Sequence, residues 1–226
     1  MKVGILGTGR VGRTLAEGFA REGHEVMIGT RDVEALMERT EPDQQRTPPF
    51  RVWHAEHKGV AAGAFAEAGA FGELLVNSTA GTGSVEALEA AGAKDLDGRI
   101  VIDTSNALDF SQGFPPSLFV GNTDSLAETI QREFPRIRVV KAWNTVTAAL
   151  MTNPKMLAEG DHTIPICGND GDAKKEVTGL LQSFGWRDVI DLGDLTAARA
   201  MEGYLPFWLR LMQALQNPIF NTKVVR

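Results

Sequence analysis

The stretch KVGILGTGRVGRTLAEGFAREGHEVMIGTRD, residues 2–32, decides how the chain is read. Val3, Ile5 and Leu6 begin a short apolar run suited to a buried strand. Gly7, Gly9 and Gly12 follow in the spacing G-x-G-x-x-G. Behind them Val11, Leu15, Ala16 and Phe19 fall on one helical face, and Gly23 stops that helix before a second strand. The spacing alone is a weak signal. A buried strand leading in and an amphipathic helix leading out make it a dinucleotide-binding turn. Gly7 permits the tight turn, Gly9 has no Cβ to keep a pyrophosphate from the backbone, and Gly12 lets the helix pack close to the strand. The amides at the positive end of the helix face the phosphates. Thr8, Arg10 and Val11, carried on the same turn, are expected to line the cofactor with the three glycines.

Outward from this unit, strand and helix patterns keep alternating. AFAEAGAF reads as a helix, ELLVNST as a strand, SVEALEAAG as a helix capped by Ser84, and RIVIDTSN as a strand. TDSLAETIQREF is a helix, and IRVVKAWN and HTIPICG are strands. The next helix carries Ala173, Val177, Leu180, Leu181 and Phe184 on one stripe. DVIDL is a short strand, and Asp194 caps the final helix. The alternation predicts an α/β fold: a Rossmann-type, doubly wound, mostly parallel sheet with helices on both faces. A soft boundary falls near Trp143. Residues 1–143 are read as the dinucleotide-binding domain and 144–226 as a small C-terminal α/β extension ending in a long helix. Pro206 should kink or restart that helix. Leu205, Phe207, Trp208, Leu209, Leu211, Met212 and Leu215 make it apolar almost all round, which requires burial in the domain or against a second subunit.

Bulk properties narrow the function classes. The chain has 226 residues, 23 Lys and Arg against 29 Asp and Glu, and a net charge of −6, which is no nucleic-acid footprint. One cysteine, Cys167, excludes an internal disulfide and any Cys-based metal site. It lies in an apolar strand and is read as a buried, inert thiol. The first residues enter a strand with no signal peptide, and no apolar run is long enough to span a membrane. The sequence reading is therefore a cytoplasmic protein. The long Pro-rich loop from about residue 38 to 58 breaks the rhythm, and its Trp53, His54 and His57 are candidates for a pocket rim. The two histidines lack a third ligand nearby, so no metal is expected. His24, in the return to the second strand, is read as a turn residue.

The second strand ends on Thr30 and Arg31, where an NAD site places an acid. The 2′-phosphate of NADP is repelled by a carboxylate. A guanidinium pairs with it in a fork, and Thr30 adds a neutral donor. The alternative is that Asp32 serves as the NAD acid, although its side chain points to the other side of an extended strand. The residues favour NADP(H). Ligands of such sheets sit at the carboxyl ends of the strands, near the point where strand order reverses. Asn77, Ser78, Thr79, Ala80, Asn106 and Asn144 are the small or amide residues expected to line the cofactor channel there. Lys141 is the one tempting proton donor. Strand alternation points it away from Ala142 and Asn144, and it is read as solvated or ion-paired. No catalytic side chain is assigned.

With these residues placed, the chain resembles the NADP-dependent oxidoreductases related to coenzyme F420:NADP oxidoreductase, and more distantly the reductase domains of the STEAP metalloreductases. The resemblance is carried by residues 2–32, by VVKAWNTVTAALM and by IPICGNDGDAKKEVTGLLQSFGWRDVIDLGDLTAAR. It implies a Rossmann domain, a small C-terminal domain with the nicotinamide in the cleft between, and a homodimer built partly from C-terminal helices. The family's Ser/Thr-Arg pair at the 2′-phosphate matches Thr30 and Arg31. A lysine that some members place a few residues on is replaced by Ala35 or its neighbours. Trp143, Asn144, Thr145 and Val146 stand where archaeal F420 enzymes have a His-Thr-Ile-Pro-like segment. The expected activity is hydride transfer between NADP(H) and F420, FMN, FAD or a related ring, a reaction that needs little from side chains. A reductase of a small carbonyl or imine and a non-catalytic NADP sensor are the alternatives. The sequence does not choose the second substrate or the direction of transfer.

Overall fold

The structure, a computed structural model, describes residues 1–42 and 47–226; residues 43–46 of the Pro-rich loop lie outside the described residues. β1 (Lys2–Leu6) enters the glycine turn and α1 (Arg10–Arg21) leaves it. β2 (Glu25–Thr30), α2 (Val33–Glu38), α3 (Phe50–Glu56), β3 (Val60–Ala64) and α4 (Phe65–Phe71) follow. Then come β4 (Leu74–Asn77), α5 (Ser84–Ala90), β5 (Ile100–Asp103), a hairpin of β6 (Leu108–Asp109) and β7 (Ser117–Leu118), and α6 (Leu126–Glu133). β8 (Arg138–Ala142), α7 (Ala148–Met151), β9 (Thr163–Gly168), α8 (Gly171–Ser183), β10 (Asp188–Asp191), α9 (Ala198–Gly203) and α10 (Leu205–Leu215) complete the chain.

Among the described residues eight strands form one sheet in the order β10-β9-β8-β5-β4-β1-β2-β3. Six are parallel; β9 runs antiparallel to β8, and β10 follows β9. The doubly wound α/β sheet expected from the alternation is present. Both faces are covered, so the central strands β1, β4, β5 and β8 are buried almost throughout rather than alternately, while the edge strands β3 and β10 are only partly buried. Val3, Ile5 and Ile102 pack with Leu15, Phe19, Val177 and Leu181 on one side. Leu6, Leu75 and Val139 pack with Ala68, Leu88, Ile130 and Met201 on the other.

Several sequence expectations need correction. β3, with the sequence VAAGA, escaped notice because its small residues carry no strand signature. Ser84 does not cap α5. A 3-10 turn over Gly81–Gly83 places Ser84 already inside the helix, and its hydroxyl faces Thr79 Oγ1 at 3.0 Å. Trp53 lies in the core rather than at a pocket rim, stacked on His57, with the Arg13 guanidinium over its ring. The rings of His54 and His57 contact the carbonyls of Val60 and Trp53, which tidies α3 into the fold. Pro206 restarts the last helix just after α9 ends. Of the apolar residues on α10 only Leu205 and Leu209 are buried within the chain, while Phe207 and Leu215 are more than half exposed.

Candidate functional site

The chain moves outward from β1 to β2 and β3 on one side, then returns to β4 on the other. Strand order therefore reverses between β1 and β4, and the loops after these two strands flank the crevice. Gly7 donates its amide to the Gly29 carbonyl at 3.0 Å with φ of +113°, a conformation that excludes other side chains. The Ser78 hydroxyl donates to the Leu6 carbonyl at 2.8 Å and so staples the loop after β4 to this turn. A Cβ on Gly12 would overlap the Gly7 carbonyl oxygen, whereas a Cβ on Gly9 would meet nothing within 4 Å. Gly9 is the N-cap of α1, offers no side chain to its amides, and the first turn holds no acid. A twelve-residue helix thus presents uncapped amides and its positive end to an open cradle, the chemistry that suits a pyrophosphate. Arg13 supports the turn from behind, with Nε donating to the Thr8 carbonyl at 2.8 Å and Nη1 to the Pro48 carbonyl at 2.6 Å. Arg10 is exposed and Val11 half-buried on the same helix.

This geometry separates two roles for glycine. Gly9→Ala is expected to stay within about 1 kcal/mol of the parent in stability, the scale of an N-cap change, since the backbone φ of −73° accepts alanine. Its NADPH affinity should fall by about tenfold, because the new methyl occupies phosphate space. Titration of both proteins with NADPH, beside a melting curve, checks this; unaltered affinity would remove the phosphates from the cradle.

Thr30 ends β2, half-buried, one residue after the Gly29 carbonyl that accepts the Gly7 amide, and Arg31 follows it, exposed. Asp32, the alternative acid, is engaged elsewhere: its Oδ1 accepts the Ala35 amide at 2.9 Å and caps α2.

Farther along the carboxyl edge, β8 ends in an irregular step. Trp143 has φ of +64°, a left-handed conformation costly for a bulky residue. Its buried indole holds it there by donating to the Met151 carbonyl at 3.0 Å, the acceptor that Trp186 also uses. The next residue, Asn144, is 3% exposed. Its Nδ2 donates to Asn106 Oδ1 at 2.9 Å and to the Met201 carbonyl at 3.0 Å, and Asn106 Nδ2 donates to the Asn144 carbonyl at 3.1 Å. Two acceptors fix the amide orientation and leave Asn144 Oδ1 buried without a hydrogen-bond partner. A buried, unpartnered acceptor at this edge suits a ligand amide, such as that of a nicotinamide carboxamide.

Asn77 is fully buried beneath the loop rather than on its surface; Thr79 is half-buried and Ala80 exposed above it. Lys141 is buried, not solvated. It pairs with Asp103 at 2.7 Å and Glu202 at 2.8 Å and donates to the Ser105 carbonyl at 2.7 Å. Burial alone would push its ammonium down, but the charges and hydrogen bonds of Asp103 and Glu202 overcome that and hold it above the ordinary lysine value. Asp103, Glu202 and Arg13 were missed by sequence reasoning. Asp103, an acid closing the apolar run IVID, was the one visible sign. Cys167 is buried and its thiol pushed up to about 12 by desolvation, so it stays protonated. Surface hollows of about 340 and 270 Å³ share Gln131 and Asn169, and the larger is lined by Arg138 at the opposite end of β8, away from this edge. Among the described residues no three His, Cys, Asp or Glu side chains are grouped as a metal site would be, and no helix is long and apolar enough to cross a membrane.

Residues 2–107 match the family model described as NADP oxidoreductase, coenzyme F420-dependent. A protein of Arthrobacter sp. FB24, provisionally named an F420-dependent NADP reductase, superposes with a TM-score of 0.96 at 53% identity, covering 100% of each chain. The F420-dependent NADP reductase of Methanocaldococcus jannaschii is 28% identical over 93% of this chain and 92% of its own. Rat metalloreductase STEAP3 is 27% identical over 92% of this chain, which spans only 38% of that larger protein.

Proposed function

Because this chain belongs to the family of coenzyme F420-dependent NADP oxidoreductases, we propose that it passes hydride between NADP(H) and a flavin or deazaflavin ring such as F420, FMN or FAD. Gly7, Thr8, Gly9, Arg10, Val11 and Gly12 would hold the pyrophosphate, and Thr30 and Arg31 the 2′-phosphate. Ser78, Thr79, Ala80, Asn106 and Asn144 would line the nicotinamide half, with Asn77 beneath them. The cofactor supplies the hydride; the protein binds, orients and excludes water. Residues 144–226 would bound the acceptor cleft. The exposed side of α10, with Phe207 and Leu215, would meet a second copy in a homodimer.

The observation that carries this reading is the state of Lys141. It was the tempting proton donor for carbonyl reduction, and all three of its N–H groups are occupied in a buried cluster. A ring acceptor needs no such donor, since its own nitrogens and conjugated system take the charge. A carbonyl or imine would have to draw its proton from elsewhere. Tyr204 is the specific candidate, its hydroxyl buried beside Thr222 and held protonated by burial.

The test is turnover of purified protein with NADPH against F420, FMN, FAD and small carbonyls. Oxidation of NADPH by a flavin-type ring, with carbonyls inert, is the expected result. Carbonyl turnover abolished by Tyr204→Phe would replace this reading with the second. Tight NADPH binding without turnover of any acceptor would leave a sensor.

A further inference from the structure

The buried ions lie outside the proposed chemistry, yet they form part of a continuous line of bonds. Glu202, on α9, accepts the amides of Leu126 at 2.9 Å and Ala127 at 3.1 Å at the start of α6. Arg199 ties the same two helices a second time, through Glu128 at 2.6 Å. From Glu202 the line passes to Lys141 and then to Asp103. Asp103 Oδ1 accepts the Ser105 hydroxyl at 2.6 Å and Asn77 Nδ2 at 2.9 Å. Asn77 Oδ1 in turn accepts the Thr79 hydroxyl at 2.7 Å and the Thr79 amide at 3.3 Å. Thr79 stands on the loop that Ser78 staples to the glycine turn. Each carboxylate contact in the line is from a donor, and a low-dielectric network of this kind holds its members in one arrangement.

We propose that Glu202 is a positioning residue for the nicotinamide half of the cofactor, acting through Lys141, Asp103 and Asn77 on Thr79. The inference rests on reading the carboxyl edge as the NADP(H) site. Thr79 opens the glycine-bearing segment Thr79–Gly83, and Asn77 is the side chain that pins both its amide and its hydroxyl. Supporting groups one layer behind a site set how tightly its contacts are held. The line reaches neither Thr30 nor Arg31, so the adenosine end is independent of it.

Two ligands read the two halves separately: NADPH, and 2′,5′-ADP, which carries the adenosine end and the 2′-phosphate without the nicotinamide. In Glu202→Gln, NADPH is expected to bind about tenfold more weakly while 2′,5′-ADP stays within about twofold. The substitution keeps size and leaves Lys141 paired with Asp103. Asp103→Asn, inside the line and away from the ligand, should give the same split and supplies the answer if Glu202→Gln does not fold. A purely structural role would move the melting midpoint without separating the two ligands. Equal losses, or none, in the folded variants overturn the inference. A parent protein that binds neither ligand overturns the cofactor reading first and this inference with it.

Discussion

Lys141→Met is expected to lower stability by about 3–5 kcal/mol, the usual cost of stranding buried charge partners. For a chain of this length that is a fall in melting midpoint of roughly 6–20 °C. The cause is not the lost lysine packing, which methionine largely replaces. Asp103 and Glu202 are at most 1% exposed and would be left without their shared cation. In the parent, Lys141 is held above its ordinary value of 10.5. Its contribution is therefore complete below that pH and is lost only as pH rises through the folded value. Adding Glu202→Gln to Lys141→Met should recover part of the loss. Denaturation across pH checks all three statements. A variant as stable as the parent at neutral pH would mean that the cluster holds nothing together.

The second large effect concerns the 2′-phosphate. Arg31→Ala should weaken NADPH by roughly ten- to a hundredfold, equivalent to one charge-assisted hydrogen bond of about 1.5–3 kcal/mol. NADH, which lacks that phosphate, should change by no more than about twofold. Arg31 is exposed, so the discrimination should also narrow as salt is raised. Affinity titrations of both nucleotides at two ionic strengths give the result. Parallel losses for NADPH and NADH would take the guanidinium away from the phosphate. Asp32 is poorly placed to replace it, since its carboxylate already caps α2 at Ala35.

The fold was legible in the sequence wherever side chains were large and periodic. Val3, Ile5, Leu15 and Phe19 announce β1 and α1 without ambiguity, and the strand–helix alternation gives the doubly wound sheet. β3 was invisible because VAAGA has little apolar bulk to display a period. Ser84 misled because serine before a helical run is the usual cap sign, and a local sequence does not reveal a 3-10 turn that starts the helix early. Lys141 shows a deeper limit. Alternation says which face of a strand a residue takes, but in a sheet covered on both sides neither face is solvent. Its partners are 38 residues earlier and 61 later, at Asp103 and Glu202, and pattern reading cannot pair residues at that distance. Of the candidate site, the glycine turn and the Thr30–Arg31 strand end were readable as local motifs. The orphaned Oδ1 of Asn144 was not, because it exists only once Asn106 and Met201 have fixed the amide.

Trp143 bears on how this molecule can open and close. It stands at the boundary read between the two parts of the chain, where a hinge would be sought. Its indole packs against both Phe19 and Phe184, which also touch each other, and is bonded to the Met151 carbonyl. Swinging the backbone at that point would draw the indole out of the core, at a cost comparable to deleting a buried tryptophan, about 3–5 kcal/mol. The joint is therefore a rivet. The β6–β7 hairpin and the residue after it are held differently: Phe110, Phe114 and Phe119 face solvent instead of anchoring the backbone in the core.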